Sequence, residues 1–271
     1  MKSYIFVDVD GTLLYEGVII PKSAIAAIQT ARENGHAIYL STGRPKGELS
    51  SEILDIGYDG FVCAGGAYVE NHGQVLYENV LNQEKLNKLL PWMDENNIGY
   101  ALQSAENTYL SDLAAQNLHS VFGISKDSEL KRVEALMGQF QSMDSFTSGI
   151  PVHKFCFYAW NQNAKQLIRN KFQEYEVIFH HGPDLEVYGE VTNKGIVKSH
   201  GIQVILDAEK ADISQSVAYG DSPNDIEMIK SAALGICMEN GVEALKQVAD
   251  EICPAVDDDG LYKSFKLHGF I

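Results

Sequence analysis

Two aspartates, Asp8 and Asp10, stand two positions apart at the end of a short apolar run, Tyr4-Ile5-Phe6-Val7, and Gly11 and Thr12 follow at once. Side chains at i and i+2 of a strand share a face, so both carboxylates leave a buried strand together. Gly11 permits a turn there and Thr12 adds a hydroxyl. Carboxylates this close repel unless a shared proton or a cation lies between them. A hard ion with a preference for oxygen ligands, such as Mg2+, suits the pair. The competing reading is a strand that simply ends in an Asp-Gly turn. A second apolar run, 216–219, also ends in a carboxylate, Asp221, and Asn224 and Asp225 open a helix three residues later. Asp221 has no obvious capping duty, which favours metal ligation. Asn224 and Asp225 suit helix capping as well as they suit a site.

Such residues need strands that end along one edge of a sheet, and the chain supplies them. The run 4–7 is followed by a helix pattern over 21–34, with Pro21 in its first turn and Gly35 as its stop. A second apolar run, 37–40, ends in Ser41-Thr42-Gly43-Arg44, and Pro45 opens a further helix to about Ile56. A third run, 60–63, leads to Gly65-Gly66-Ala67 and a hairpin over 67–70 and 74–77. Strand-helix-strand repetition implies a parallel sheet flanked by helices, and ligands of such sheets bind at the carboxyl ends of the strands.

Between about residues 82 and 187 the texture changes. A helix over 84–96 contains Pro91, and short alternating runs at 99–104, 108–111, 153–160, 176–180 and 185–188 are interleaved with helical patterns at 128–140 and 163–175. This is a separate α/β unit built on an antiparallel sheet, inserted into a core formed by 1–81 and 188–271. His153, Lys154, His180 and His181 lie near its strand ends, but structural or surface roles are preferred for each. The first texture then returns, with helices at 194–200 and 225–231 and strands at 216–219, 234–238 and 251–253. Asp257-Asp258-Asp259 reads as a solvated helix start.

The chain has 271 residues, 45% of them hydrophobic and 21% charged, which are ordinary globular values with ample length for a core. A net charge of −16 argues against nucleic acid or an anionic membrane as the main partner. A small phosphorylated molecule is not excluded, because local cations can outweigh a distant field. No signal-peptide region and no long apolar run is seen. Cys63, Cys156, Cys237 and Cys253 form no Cys-x-x-Cys pair and read as buried free thiols. A cytoplasmic setting is expected. Oligomeric state is not legible.

Four segments together resemble the haloacid dehalogenase-like phosphatases. Asp8-Val9-Asp10-Gly11-Thr12 resembles the first motif of that superfamily, Thr42 within Ser41-Thr42-Gly43-Arg44 the second, Lys194 within Asn193-Lys194-Gly195 the third, and Gly220-Asp221-Ser222-Pro223-Asn224-Asp225 the fourth. The block at 82–187 sits where the Cof-type branch inserts a large α/β (type IIB) cap. Two departures are Ser222-Pro223 after the fourth-motif aspartate and Gly65 where that branch often has Asn.

The resemblance implies a Rossmann-like α/β core with a cap and a Mg2+-dependent phosphatase acting on small phosphorylated metabolites, typically sugar phosphates. It implies Asp8 as the nucleophile that forms an aspartyl-phosphate and Asp10 as the general acid and base. Mg2+ would be held by Asp8, the backbone carbonyl of Asp10, and Asp221. Thr42 and Lys194 would hold phosphoryl oxygens, with Gly43 and Arg44 beside them and Asn224 and Asp225 behind. For Arg44, pairing with an acid is an equal alternative. A phosphoryl transferase or mutase on the same scaffold, or a non-catalytic sensor of a phosphorylated ligand, are the other readings.

Overall fold

The computed structural model describes residues 2–117, 140–180 and 186–271. The helical pattern at 128–139, His181 and Leu185 lie outside the described residues. The chain divides into two compact units. One comprises Met1–Arg44, Ser51–Glu78 and Val197–Ile271; the other comprises Pro45–Ser50 and Asn79–Ile196.

In chain order the strands of the first unit begin with β1 (Tyr4–Val7), β2 (Ala37–Ser41), β3 (Gly60–Cys63), β4 (Tyr68–Asn71) and β5 (Gln74–Glu78). The second unit follows with β6 (Gly99–Gln103), β7 (Thr108–Leu110), β8 (Phe140–Ser142), β9 (Lys154–Ala159), β10 (Tyr175–His180) and β11 (Val187–Asn193). The first unit resumes with β12 (Ser216–Gly220), β13 (Leu234–Met238) and β14 (Glu251–Cys253).

The eight strands of the first unit form one sheet in the order β14-β13-β12-β1-β2-β3-β4-β5. β14 through β3 run parallel, and β4 and β5 add an antiparallel hairpin. β1, β2 and β12, in the middle of the sheet, are buried throughout and therefore read as continuous apolar runs. Phe6 stacks on Tyr39 at 5.1 Å between ring centroids, and Ile202, Ile205 and Leu206 of the helix Lys198–Glu209 pack into the same cluster. Chain order reverses about β1, which has β2 on one side and β12 on the other. That reversal opens a crevice at the strands' carboxyl ends, where Asp8, Thr42 and Asp221 follow β1, β2 and β12.

The second unit carries a six-stranded sheet in the order β10-β11-β9-β6-β7-β8. Its pairs are antiparallel except β7 with β8, which is parallel. Phe155, Phe157, Val187 and Val191 on one face pack with Leu86, Leu90 and Met93 of the helix Gln83–Glu95, which keeps Pro91 inside it.

Three expectations are corrected. The core does not resume at 188, because Val187–Asn193 pairs with both β9 and β10 and belongs to the second sheet. The helix expected at 194–200 starts at Lys198 and runs to Glu209. The helix expected from Pro45 to Ile56 is broken into a 3-10 turn, Lys46–Glu48, and a short helix, Ser51–Leu54. All four cysteines are free and buried. Among the described residues no helix is long and apolar enough to cross a membrane.

Candidate active site

β1 sets the site. Asp8 directly follows it, is buried, and donates its backbone N–H to the Tyr219 carbonyl at 3.0 Å, which ties it to β12. Gly11 turns the chain with φ +84°, and a Cβ there would lie 2.2 Å from Asp221 Oδ2. Only glycine lets this loop approach Asp221 so closely. Thr12 Oγ1 donates to Asp221 Oδ1 at 3.2 Å, and Asn240 Nδ2 donates to the Gly11 carbonyl at 2.7 Å.

The lysine at this site is Lys198. Its Nζ donates to Asp8 Oδ1 at 2.6 Å, to Asp225 Oδ1 at 2.7 Å and to Asn224 Oδ1 at 3.4 Å. The expectation for Lys194 is thereby corrected: Lys194 is exposed, follows β11 and belongs to the second unit, whereas Lys198 is fully buried at the start of its helix. Gly66 helps to seat that helix, since with φ +106° it has no Cβ to strike the Val197 carbonyl, which a Cβ would meet at 2.3 Å. The Gly65-Gly66-Ala67 loop thus packs against the segment that carries the lysine.

Asp225 is fully buried and uses its second oxygen on its own loop, accepting from the backbone N–H groups of Asp221 at 3.1 Å and Ser222 at 3.0 Å. It therefore both holds Lys198 and shapes the turn that presents Asp221. Ser222 Oγ donates to Asn224 Oδ1 at 2.6 Å. Thr42 is buried, and its Oγ1 accepts the Arg44 backbone N–H at 3.1 Å. Gly43 lies beside Asn224, whose Nδ2 a Cβ there would meet at 3.4 Å. Arg44 pairs with an acid: its guanidinium grips Asp10, with Nε 2.8 Å from Oδ2. The Asp10 side chain is about half exposed.

Carboxylate oxygens of Asp8, Asp221 and Asp225 lie within 4.8 Å of one another. The Asp10 carboxylate is not part of this group. Burial, and then the Asp225 charge, push the Asp8 carboxyl well above its ordinary range although Lys198 pulls the other way. The same two causes raise Asp221 to about 6. Burial would lower Lys198, but the charges of Asp8 and Asp225 outweigh it and hold the ammonium protonated. Three carboxylates thus share one buried ammonium, an excess of negative charge set among oxygen donors. This donor set fits a hard divalent cation, which would supply the missing positive charge between Asp8 and Asp221.

The chain matches the model of the haloacid dehalogenase-like hydrolases over residues 5–265. It belongs to that family. The phosphatase class expected from the sequence stands with the membership. A putative phosphatase of Bacillus subtilis, YkrA, is 26% identical over 98% of both chains. A solved structure from Geobacillus kaustophilus superposes with a TM-score of 0.85 at 26% identity, covering 100% of both chains. The subclass IIB sugar phosphatase BT4131 shares the fold at 23% identity and a TM-score of 0.78, again over 100% of both.

The lysine's position is what sequence reasoning missed. The helix Lys198–Glu209 has Val197 at its N-cap and no side-chain cap, so no capping signal marks where it starts. Its apolar spacing, Ile202, Ile205 and Leu206, is the signal that would have placed Lys198 on the first turn. Asn240, from the loop after β13, carried no sequence signal.

Proposed function

We propose that this enzyme is a Mg2+-dependent phosphatase of small phosphorylated metabolites, sugar phosphates first among them, working through an aspartyl-phosphate on Asp8. The observation that carries the reading is the buried Asp8 carboxylate, 2.6 Å from Lys198 and grouped with Asp221 and Asp225. The name of the sugar phosphatase BT4131 supports the substrate class.

An oxygen of Asp8 attacks phosphorus, forming the Asp8–phosphorus bond as the bond to the leaving alcohol oxygen breaks. Asp10 gives that oxygen its proton, then takes one from the water that attacks the phosphorus and frees the Asp8 carboxylate. Thr42, Gly43 and Lys198 hold the phosphoryl oxygens, and Arg44 sets the Asp10 carboxylate. The Lys198 ammonium offsets charge as nucleophile and phosphoryl group approach, and Asn224 and Asp225 orient it. Asp8, the backbone carbonyl of Asp10, and Asp221 would hold Mg2+, which would supply positive charge to offset that of the carboxylates and the phosphoryl group. The buried free thiols and the lack of a membrane-spanning helix among the described residues support a cytoplasmic setting.

A Mg2+ titration of the chelated protein with an aryl phosphate tests this. Turnover that requires the cation is expected, together with loss of the dependence in Asp221→Asn. Equal rates with and without chelator would contradict the metal assignment.

A further inference from the structure

The turn after β1 hinges on Gly11, whose φ of +84° is accessible because it has no side chain. The same freedom would let the turn wander unless the peptide planes on either side of Gly11 were held, and both are. The Gly11 N–H donates to the Leu14 carbonyl at 2.8 Å, which fixes the plane that also carries the Asp10 carbonyl. The Gly11 carbonyl, in the next plane, accepts from Asn240 Nδ2 at 2.7 Å across 229 residues of chain. The first bond is internal to the turn. The second reaches it from the loop after β13, within the same unit.

Asn240 is itself braced. Its Oδ1 accepts the Val256 N–H at 3.0 Å, so both ends of its amide are engaged. On either side of it the Glu239 N–H donates to the Cys253 carbonyl at 2.9 Å and the Gly241 N–H to the Met238 carbonyl at 2.8 Å. Val242 then donates its N–H to the Asp221 carbonyl at 2.8 Å, and Gly241 lies against that same carbonyl, which a Cβ there would meet at 3.0 Å. One loop, 239–242, thus grips the turn of Asp10 and Gly11 with a side chain and Asp221 with its backbone. These are the two segments that would hold the cation together with Asp8.

We propose that Asn240 is a positioning residue for the metal site. By holding the Gly11 carbonyl it fixes the turn that carries the Asp10 carbonyl relative to Asp221, and so sets the affinity for Mg2+. It acts through Gly11 and is not itself a ligand. The inference rests on the Mg2+-dependent reading above.

Calorimetric titration of the chelated protein with MgCl2 alone is the test. Groups that orient metal-holding atoms typically account for about 10–100-fold in affinity, so Asn240→Ala is expected to raise the Mg2+ Kd by about tenfold or more. Asn240 is exposed, so its truncation leaves no cavity and the variant should fold. The Mg2+ concentration for half-maximal turnover of an aryl phosphate should rise by the same factor, while kcat at saturating Mg2+ stays near that of the unaltered protein. Asn34→Ala is the matched control. It also removes an amide that donates to a distant carbonyl, Asn34 Nδ2 to Phe270 at 2.9 Å, but just before β2 begins and so at the opposite edge of the sheet. It should lower the Tm of the metal-free protein and leave the Mg2+ Kd unchanged, which separates positioning from a general loss of stability. Equal Kd in Asn240→Ala and the unaltered protein would overturn the proposal, as would a matching rise in Asn34→Ala. Absence of Mg2+ binding to the unaltered protein would remove the metal reading itself, and this proposal with it.

Discussion

Among the described residues each unit buries one lysine against carboxylates, and the two arrangements drive those carboxyls in opposite directions. In the first unit Lys198 lies between Asp8 and Asp225, with Asp221 as the third carboxylate of the group. One ammonium does not balance that charge, so Asp8 and Asp221 are both driven up. In the second unit Lys154 pairs with Glu190 at 2.8 Å, and His180 stands 3.5 Å from the other Glu190 oxygen. Burial works to raise Glu190, but the Lys154 charge and the hydrogen bonds from His180 and Lys154 outweigh it and hold the carboxyl at about 2. Geometry alone does not separate the two lysines. The direction of the carboxyl shift does: Asp8 and Asp221 are driven up beside Lys198, whereas Glu190 is driven down beside Lys154.

The comparison can be broken most severely at Lys154. Lys154→Met leaves the Glu190 carboxylate partly buried and without its main partner, which typically costs about 3–5 kcal/mol when one member of a buried pair is removed. We expect a lower denaturant midpoint with unchanged m-value; an unaltered midpoint would show that the pair is not structural. Next comes the lysine of the site. Lys198→Met is expected to lower kcat by about 10²–10³-fold, the scale for loss of one preorganised charge donor. Lys194→Met should stay within about twofold, as for an exposed position. Steady-state kinetics of the two variants would reverse the assignment if Lys194→Met were the damaged one.

The smallest effect is a slope of stability against pH. Glu190 titrates at about 2 in the fold against an ordinary 4.5, so its contribution is complete above the ordinary value. It is lost progressively as pH falls from there through about 2. Glu190→Gln should flatten this acid limb in urea melts taken between those values. An equally steep limb in the variant would assign the acid sensitivity elsewhere.

Much of the site was legible because its signals are local. The expectations for Asp8, Asp10 and Asp221 come from strand geometry: Asp8 and Asp221 are brought together, whereas the strand ends at Val7 and the Asp10 carboxylate pairs with Arg44 instead of joining Asp8. Lys194 was misplaced because β11 runs on to Asn193 and the next helix starts without a cap at Val197, so nothing local separates Lys194 from Lys198. The same strand moved the domain boundary away from 188. Pro45–Ser50 joins the other unit through Glu48, whose partners lie 55 and 60 residues away. A contact at that range leaves no periodicity to read.

The account turns on Asp8 as the atom that takes the phosphoryl group, and chemical trapping reaches it most directly. Acid quench of a steady-state reaction with phosphorus-labelled substrate, followed by peptide mapping, should find hydroxylamine-labile label on the peptide containing Asp8, with neither label nor turnover in Asp8→Asn. Label on any other side chain, or undiminished turnover in that variant, would contradict it.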